Sequence, residues 1–450
     1  MEMEVMYSRL NRLLEAGRHG ELRGALMMLN EVDIAQYMTT LDEKQLVLVF
    51  RILPKDISAD VFSYMENDQR QKLIESIGDA EAKRLMDDMF LDDAVDFLEE
   101  MPAGVVRRLL QSTDENKRNL INRFLSYPEN SAGSLMTIEY VECAETDTVK
   151  GAMQKIRQEG IDKETVYTLY LIDEKRHLTG VLALRRMLLA DEDTQLCTLM
   201  DRNFIAVHTL DDQEKVADTV RHYDLMTMPV LDNEDRLVGI ITADDIMDVI
   251  EDENTEDFEK MAALVPSEEE YLKTSPFRLA LNRIPWLLLL CVAATFTGMI
   301  ITNFENLLQH ADITLTACIP MLMDTGGNCG SQASTLMIRG LALGEIQFRD
   351  ILKVLWKEVR VAVMVGLVLF GVTFARVVLI NGADTMVALT IAAALYVTVI
   401  IAKAIGCTLP LGAKKLGLDP ALMASPLITT IVDAASLTVY FGIASAILHF

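Results

Sequence analysis

The chain has 450 residues and a formal net charge of −26, which excludes nucleic acid as a partner because phosphates call for a basic surface. Residues 271–450 hold 12 Lys and Arg against 9 Asp and Glu, leaving 29 against 58 for residues 1–270, so a strongly acidic portion precedes a near-neutral one. Six scattered cysteines without a Cys-x-x-Cys pair suit a reducing compartment and no structural zinc, and no basic stretch followed by an apolar run marks a cleaved signal peptide. Such acidity suits divalent cations, which bind hard carboxylate oxygens, as it also suits plain solubility.

Residues 1–132 read as a helical N-terminal domain. Between 21 and 127, polar starts recur at Asp42, Asp56, Asp68, Asp79, Asp92 and Asp114, with Pro54 and Pro102 at two further junctions. The intervals suit one short helix each, with Asp as N-cap. Apolar residues between them fall at helical spacing, as in Leu46, Val49, Phe50 and Leu53. Helices this short cannot bury a face alone, so a stacked superhelix is expected.

From 133 to 250 the pattern changes and repeats once. Leu135-Met136-Thr137 recurs as Leu199-Met200-Asp201, and Tyr170-Leu171-Ile172-Asp173 with Leu178-Thr179-Gly180-Val181 recurs as Pro229-Val230-Leu231-Asp232 with Leu237-Val238-Gly239-Ile240. Each half reads as strand, helix, strand, turn, strand, helix. This pattern resembles a tandem pair of cystathionine-β-synthase (CBS) domains, at 133–199 and 200–250. In that family Gly239-Ile240-Ile241-Thr242-Ala243-Asp244-Asp245 resembles the Thr/Ser-x-x-Asp stretch that contacts adenosine, which makes Thr242 and Asp245 candidate ATP contacts. The first repeat departs there, with Ala183 and Arg186 following Gly180.

Acids at 244, 245, 248, 251, 252, 253, 256, 257 and 259 then spread over most of a helix's circumference. Such a run repels itself unless cations neutralise it. Beyond 271 come five segments near the ~20 apolar residues needed to span a bilayer: Ile284–Phe304, about Ile313–Ile338, about Val354–Ala375, Thr385–Ala402, and Pro420 to the end. Basic residues cluster before the first (Lys273, Arg278, Arg283), between the second and third (Arg339, Arg349, Lys353, Lys357, Arg360), and between the fourth and fifth (Lys403, Lys414, Lys415). The other connections carry Glu305, Asp312 and Asp384, with Arg376 the exception. That bias predicts five crossings, the N-terminus in the cytoplasm and the C-terminus outside.

Two polar anomalies lie in this apolar half. Asp433 is the one charged residue from Pro420 onward, and a carboxylate in hydrocarbon costs at least ~2.5–3.5 kcal/mol, so it is expected to face a polar path. The second segment carries Asp324-Thr-Gly-Gly-Asn-Cys-Gly-Ser-Gln332 after Pro320. Its glycines predict an interruption of the helix beside a water-filled cavity. Where the helix continues, spacings of four put Asp324, Asn328 and Gln332 on one face. Few carboxylates among neutral oxygens favour Mg²⁺, which dehydrates reluctantly, over Zn²⁺; they do not separate Mg²⁺ from Ca²⁺, Mn²⁺ or Co²⁺.

The stretches 320–332 and 419–433 are similar to the two signatures of the MgtE family of magnesium channels and transporters. The order of helical N domain, CBS pair, acidic helix and five membrane helices matches too. The resemblance implies a multidomain integral membrane protein, homodimeric in the cell (inner) membrane, with a pore in which Asp433 holds hydrated Mg²⁺ and Gly326, Gly327, Asn328 and Gln332 line the path. Asp324 departs from the family, which often has a small or apolar residue there. It also implies a regulatory role for the helical N domain, a plug helix over 248–270 and regulatory Mg²⁺ on Asp93, Asp96, Asp224, Asp245, Asp248, Glu253, Glu256, Asp257 and Asp419. Bound Mg²⁺ would close the acidic domains and the pore, so that intracellular Mg²⁺ inhibits its own entry. Import would be passive: at −100 mV a divalent cation gains ~4.6 kcal/mol, twice the ~2.3 per unit charge. The alternatives are a Na⁺- or H⁺-coupled exchanger using Asp324 or Asp433, and an adenine-nucleotide sensor. No P-loop or nucleophile–base constellation points to an ATP-driven pump or an enzyme.

Overall fold

A computed structural model describes residues 2–267, 271–272, 274–304, 313–423 and 425–448. Lys273, Glu305, Asp312 and the last two residues of the fifth expected span lie outside the described residues. The chain divides into two units, Met1–Ile250 and Glu251–Phe450.

The first unit opens with ten short helices: α1 (Glu2–Glu15), α2 (His19–Leu26), α3 (Glu31–Met38), α4 (Glu43–Ile52), α5 (Lys55–Ser63), α6 (Asn67–Ser76), α7 (Asp79–Asp88), α8 (Leu91–Glu99), α9 (Ala103–Ser112) and α10 (Glu115–Phe124). Each buries a narrow apolar stripe, such as Leu46, Val49 and Phe50 on α4. Asp42 is an N-cap in a full capping box with Gln45, and Asp114 accepts from the backbone of Asn116. The expected cap fails elsewhere: Glu66, Gly78 and Phe90 occupy the cap positions, and Asp68, Asp79 and Asp92 sit inside the first turn. There they oppose the positive end of the helix dipole instead.

Two three-stranded sheets follow, each with a parallel then an antiparallel pairing. The first is β1 (Val141–Ala144), β2 (Thr168–Ile172) and β3 (Leu178–Ala183); the second is β4 (Val207–His208), β5 (Thr227–Leu231) and β6 (Leu237–Thr242). Their helices are α11 (Ala132–Leu135), α12 (Val149–Glu159), α13 (Leu184–Leu188), α14 (Gln213–Tyr223) and α15 (Ala243–Met261). The repeated Leu-Met-Thr/Asp motif explains itself here by crossing over. Thr137 pairs with Ile240 of the second sheet, while Asp201 pairs with Val181 of the first. Gly239 and Gly180 make room: a Cβ on either would come within 2.7 Å and 2.6 Å of Met136 and Met200 sulfur. Division at 199/200 therefore cuts across the packing, since each half completes the other's sheet. Between the sheets Tyr170 donates to Thr227 at 2.8 Å, amid buried Tyr140, Leu231 and Ile240. Helix α15 runs on from β6 and ends at Met261; of the expected 248–270 helix, residues 268–270 lie outside the described residues.

The second unit holds α16 (Pro276–Asn303), α17 (Ile313–Ala317), α18 (Ile319–Ala342), α19 (Ile351–Leu379), α20 (Thr385–Lys415) and α21 (Ser425–Leu448). Among the described residues, four stretches are long and apolar enough to cross a membrane: Pro276–Asn303, Phe348–Leu379, Thr385–Lys415 and Pro420–Leu448. Helix α18 has 24 residues, but its glycines, amides and hydroxyls dilute the apolar ones.

Two expectations are corrected. The glycines do not interrupt the second segment: its one break falls at Cys318, α18 runs unbroken through them from Ile319 to Ala342, and Pro320 sits in the first turn, where no amide hydrogen is needed. The glycines serve close packing instead. A Cβ on Gly406 of α20 would overlap the carbonyl oxygen of Gly330, and one on Gly330 would come within 2.9 Å of Ile428 and 3.1 Å of Val432 on α21. Small residues are how helix backbones approach in a bilayer. The fourth segment runs past Ala402 to Lys415, so Lys403 lies inside a helix and not in a loop. Its ammonium is buried, as is Glu358 of α19, and the two pair at 3.5 Å. Burial within hydrocarbon is tolerable for these charges because they meet.

Candidate functional site

Helix α18, once continuous, carries Asp324, Asn328 and Gln332 on one face, and all three side chains are exposed on the unit's surface. The opposite face buries Leu322, Gly326, Cys329, Gly330 and Ala333. This inverts a lipid-facing helix: the apolar side packs inward and the polar side looks out. Such a stripe is incompatible with lipid and calls for water or protein opposite it.

Asp433 sits on α21, which packs along α18. Residue 433 is half-exposed, its Oδ1 is buried without a hydrogen-bond partner, and it lies within electrostatic reach of Asp324. Gly327 allows the approach, because a Cβ there would come within 2.9 Å of Thr429 on α21. The structure thus packs the two signature stretches together and sets Asp433 within electrostatic reach of Asp324, on the helix that carries the amides of Asn328 and Gln332. Two carboxylates with neutral oxygens suit a hard cation that keeps most of its water.

A second concentration of acids lies in the first unit. Helix α8 supplies Asp92, Asp93 and Asp96, α15 begins with Asp244 and Asp245, and Glu164 follows α12. Burial, then the charge of Asp93 and Asp245, holds Asp92 well above the ordinary carboxyl range, and its Oδ1 has no hydrogen-bond partner. Glu164 is pushed up to about 7 by burial and then by Asp245, Asp93 and Asp244. Burial raises Asp245 to about 6 although Thr242 donates its hydroxyl to it at 2.6 Å. Asp93 is raised by burial, against a bond from Ser63 at 3.0 Å and the field of Arg70. Asp96 still reaches solvent, yet crowding strips enough hydration from it that, with Glu99, Asp93 and Asp245, it moves up to about 7.

In every case burial leads and neighbouring acids add to it, with Arg70 the one cation that opposes the rise, at Asp93. Of the acids listed from sequence, Asp93, Asp96 and Asp245 are brought together; Asp92, Asp244 and Glu164 join them. The Asp92–Asp96 spacing of four was a readable signal for one helical face, whereas Glu164 carries no local pattern. Asp224 stands apart, exposed in the left-handed conformation that ends α14, and Asp248 is exposed on α15.

A third group lies within the second unit. Lys260, near the end of α15, holds Glu256 at 2.9 Å and Asp419 at 2.7 Å. Burial opposes its charge, but these two bonds outweigh it and hold the ammonium above the ordinary lysine range. Asp257 is pushed up to about 6 by burial and then by Asp419, with Glu253 and Glu256 adding to the rise and Lys260 opposing it in part. Among the described residues, no three His, Cys, Asp or Glu side chains could hold one metal ion between them.

The comparisons agree with this anatomy. Residues 319–443 match the MgtE family model, described as a divalent cation transporter, residues 29–130 match the MgtE intracellular N domain, and residues 196–252 match a CBS domain. The chain is 34% identical over 444 residues to the magnesium transporter MgtE of Thermus thermophilus, covering 97% of this chain and 98% of that one. It is 32% identical to that of Bacillus subtilis over 449 residues, covering 100% and 99%. Among solved structures it is similar to the soluble part of a magnesium transporter (TM-score 0.54, 32% identity, 56% of this chain and 99% of that one). It is also similar to the cytosolic domain of the Mg²⁺ channel MgtE in complex with ATP (TM-score 0.52, 33% identity, 54% and 99%).

Proposed function

The chain belongs to the MgtE family of magnesium transporters, and from that premise we propose that it is a Mg²⁺-selective channel that imports Mg²⁺ down its electrochemical gradient and is closed by Mg²⁺ on its cytosolic side. One observation carries the reading: Asp433 stands within electrostatic reach of Asp324, which belongs to an outward polar stripe on α18 amid the apolar helices. A homodimer supports that stripe best, because a second copy would turn it from lipid to a shared, water-filled path. Five crossings of the cell membrane, with the N-terminus cytoplasmic and the C-terminus outside, follow the basic residues of the loops.

Gating has its own support. The crowded acids of α8, Glu164 and the start of α15 repel one another, and bound hydrated Mg²⁺ would relieve that repulsion and favour the closed arrangement. The α15 end, tied to Asp419 through Lys260, serves as the plug, with Glu253, Glu256 and Asp257 as further cation contacts. ATP binds at Thr242 and Asp245, by analogy with the ATP-bound relative; the 2.6 Å bond between them holds the carboxylate in place for a ribose. An exchanger coupled to Na⁺ or H⁺ is the second reading, favoured by the two adjacent carboxylates.

The test is Mg²⁺ current or uptake in proteoliposomes, for the native chain and Asp433→Ala, with Mg²⁺ varied on the cytosolic side and no other gradient. The expected result is a voltage-driven flux that falls as inner Mg²⁺ rises and vanishes in the variant. Flux that requires a Na⁺ or H⁺ gradient would transfer the reading to the exchanger.

A further inference from the structure

Among the described residues of the second unit, buried side-chain polar atoms without a hydrogen-bond partner are three: Thr398 Oγ1, Asp433 Oδ1 and Ser436 Oγ. They are not scattered. Gly326 marks their meeting point, since a Cβ there would come within 2.9 Å of Ser436 Oγ, 3.0 Å of Thr398 Cγ2 and 3.2 Å of Val432. Asp433 follows Val432 directly and lies one turn before Ser436. Helices α18, α20 and α21 therefore bring the Thr398 and Ser436 side chains to one junction, and Asp433, one turn before Ser436 on α21, carries the third orphaned oxygen.

The two hydroxyls behave unlike their neighbours. Helical Thr and Ser in apolar surroundings ordinarily donate to the carbonyl four residues back. Thr390, Thr408, Thr430 and Thr438 all do so, at 2.8–3.0 Å. Thr398 and Ser436, which are 1% and 2% exposed, make no such bond to Ala394 or Val432. Orphaned hydroxyls this deep ask for an explanation, and shared ordered water is the usual one when two or more polar partners converge.

We propose that Thr398, Ser436 and Asp433 Oδ1 share a water molecule behind the ion path, and that this water positions the pore carboxylate. The water accepts from the two hydroxyls and donates to Oδ1. The carboxylate is then pinned in one rotamer, with Oδ2 left to meet the hydration shell of the ion. Thr398 and Ser436 are positioning residues: they act on Mg²⁺ through Asp433. The inference rests on the reading of Asp433 as the pore carboxylate.

The experiment compares Thr398→Val/Ser436→Ala, Thr398→Ser and Asp433→Ala by Mg²⁺ flux in proteoliposomes. Membrane content and melting temperature are recorded for each. The double variant is expected to raise half-saturating Mg²⁺ about tenfold, the worth of one hydrogen bond to a charged group. Its maximal flux and melting temperature should stay near native, its preference for Mg²⁺ over Ca²⁺ should fall, and Thr398→Ser should behave as native. If the double variant is lost from the membrane, the isosteric Thr398→Val alone carries the measurement. An unchanged half-saturating concentration while Asp433→Ala abolishes flux overturns the positioning role and spares the pore. Flux that survives Asp433→Ala overturns both.

Discussion

In the proposed reading, the acidic face of the first unit and the polar stripe of the second handle one cation with opposite distributions of charge. On the acidic face six carboxyls crowd together, and burial with mutual repulsion drives Asp245 to about 6 and Glu164 to about 7. On the stripe, two carboxylates stand among amides and hydroxyls, and the surrounding helices contribute packing. A sensor gains from strain that only a cation relieves, because occupancy then shifts a conformational balance. A conduit cannot hold its ion so firmly, since binding must be weak enough to let go. On that reading, charge count is what separates sensing from conduction within one chain.

The largest effect that sharpens this contrast is a pair of single substitutions. Asp433→Ala should take Mg²⁺ flux to background, whereas Asp245→Asn should leave flux intact and weaken its inhibition by cytosolic Mg²⁺. Equal loss of flux in both, in the same liposome assay, would erase the division of labour. Next in size is the buried Glu358–Lys403 pair, which belongs to neither region. Removing one partner should cost about 3–5 kcal/mol by leaving a lone buried charge, while Glu358→Met/Lys403→Met should come close to native stability. Thermal melting in detergent reads both, and a double variant no better than the singles would sink the pairing.

A smaller effect concerns pH. Asp245 and Glu164 have folded values of about 6 and about 7 against ordinary values of 3.8 and 4.5. Between those limits the folded unit binds more protons than the unfolded chain. Without Mg²⁺, its stability therefore rises as pH falls from 8 towards 5, and is lost as pH rises through 6–7. Mg²⁺ should raise the cytosolic melting transition most at pH 8 and least at pH 6. A Mg²⁺ effect equal at both would mean that the acids are not its site. Smallest is the control outside both regions: Asp42→Ala removes a capping box and should cost about 1 kcal/mol of stability without altering flux or inhibition.

What could be read in the sequence, and what could not, follows from the range of each interaction. Periodicity is local, so the short helices, the doubled α/β repeat and the apolar segments were legible, and so was the shared face of Asp324, Asn328 and Gln332. Capping depends on where a helix begins by a residue or two, and only Asp42 and Asp114 occupied the position expected of six. Lys403 looked like a loop residue because its partner, Glu358, lies 45 positions away. The glycines of α18 looked like breaks because the helices that press on them are distant in sequence. Glu164 joined the acidic face by the same long-range route.

The crossed pairing of the two α/β repeats carries a consequence for how the chain is made. Position 137 waits for position 240 before its bridge can close, while 181 finds 201 almost at once. The first sheet can be completed early in synthesis, but the second cannot be finished before its own last strand emerges, with the segment around Met136 held idle until then. Non-local closure of this kind slows folding. Closure of the second sheet therefore waits for β6, the strand immediately before the acidic helix.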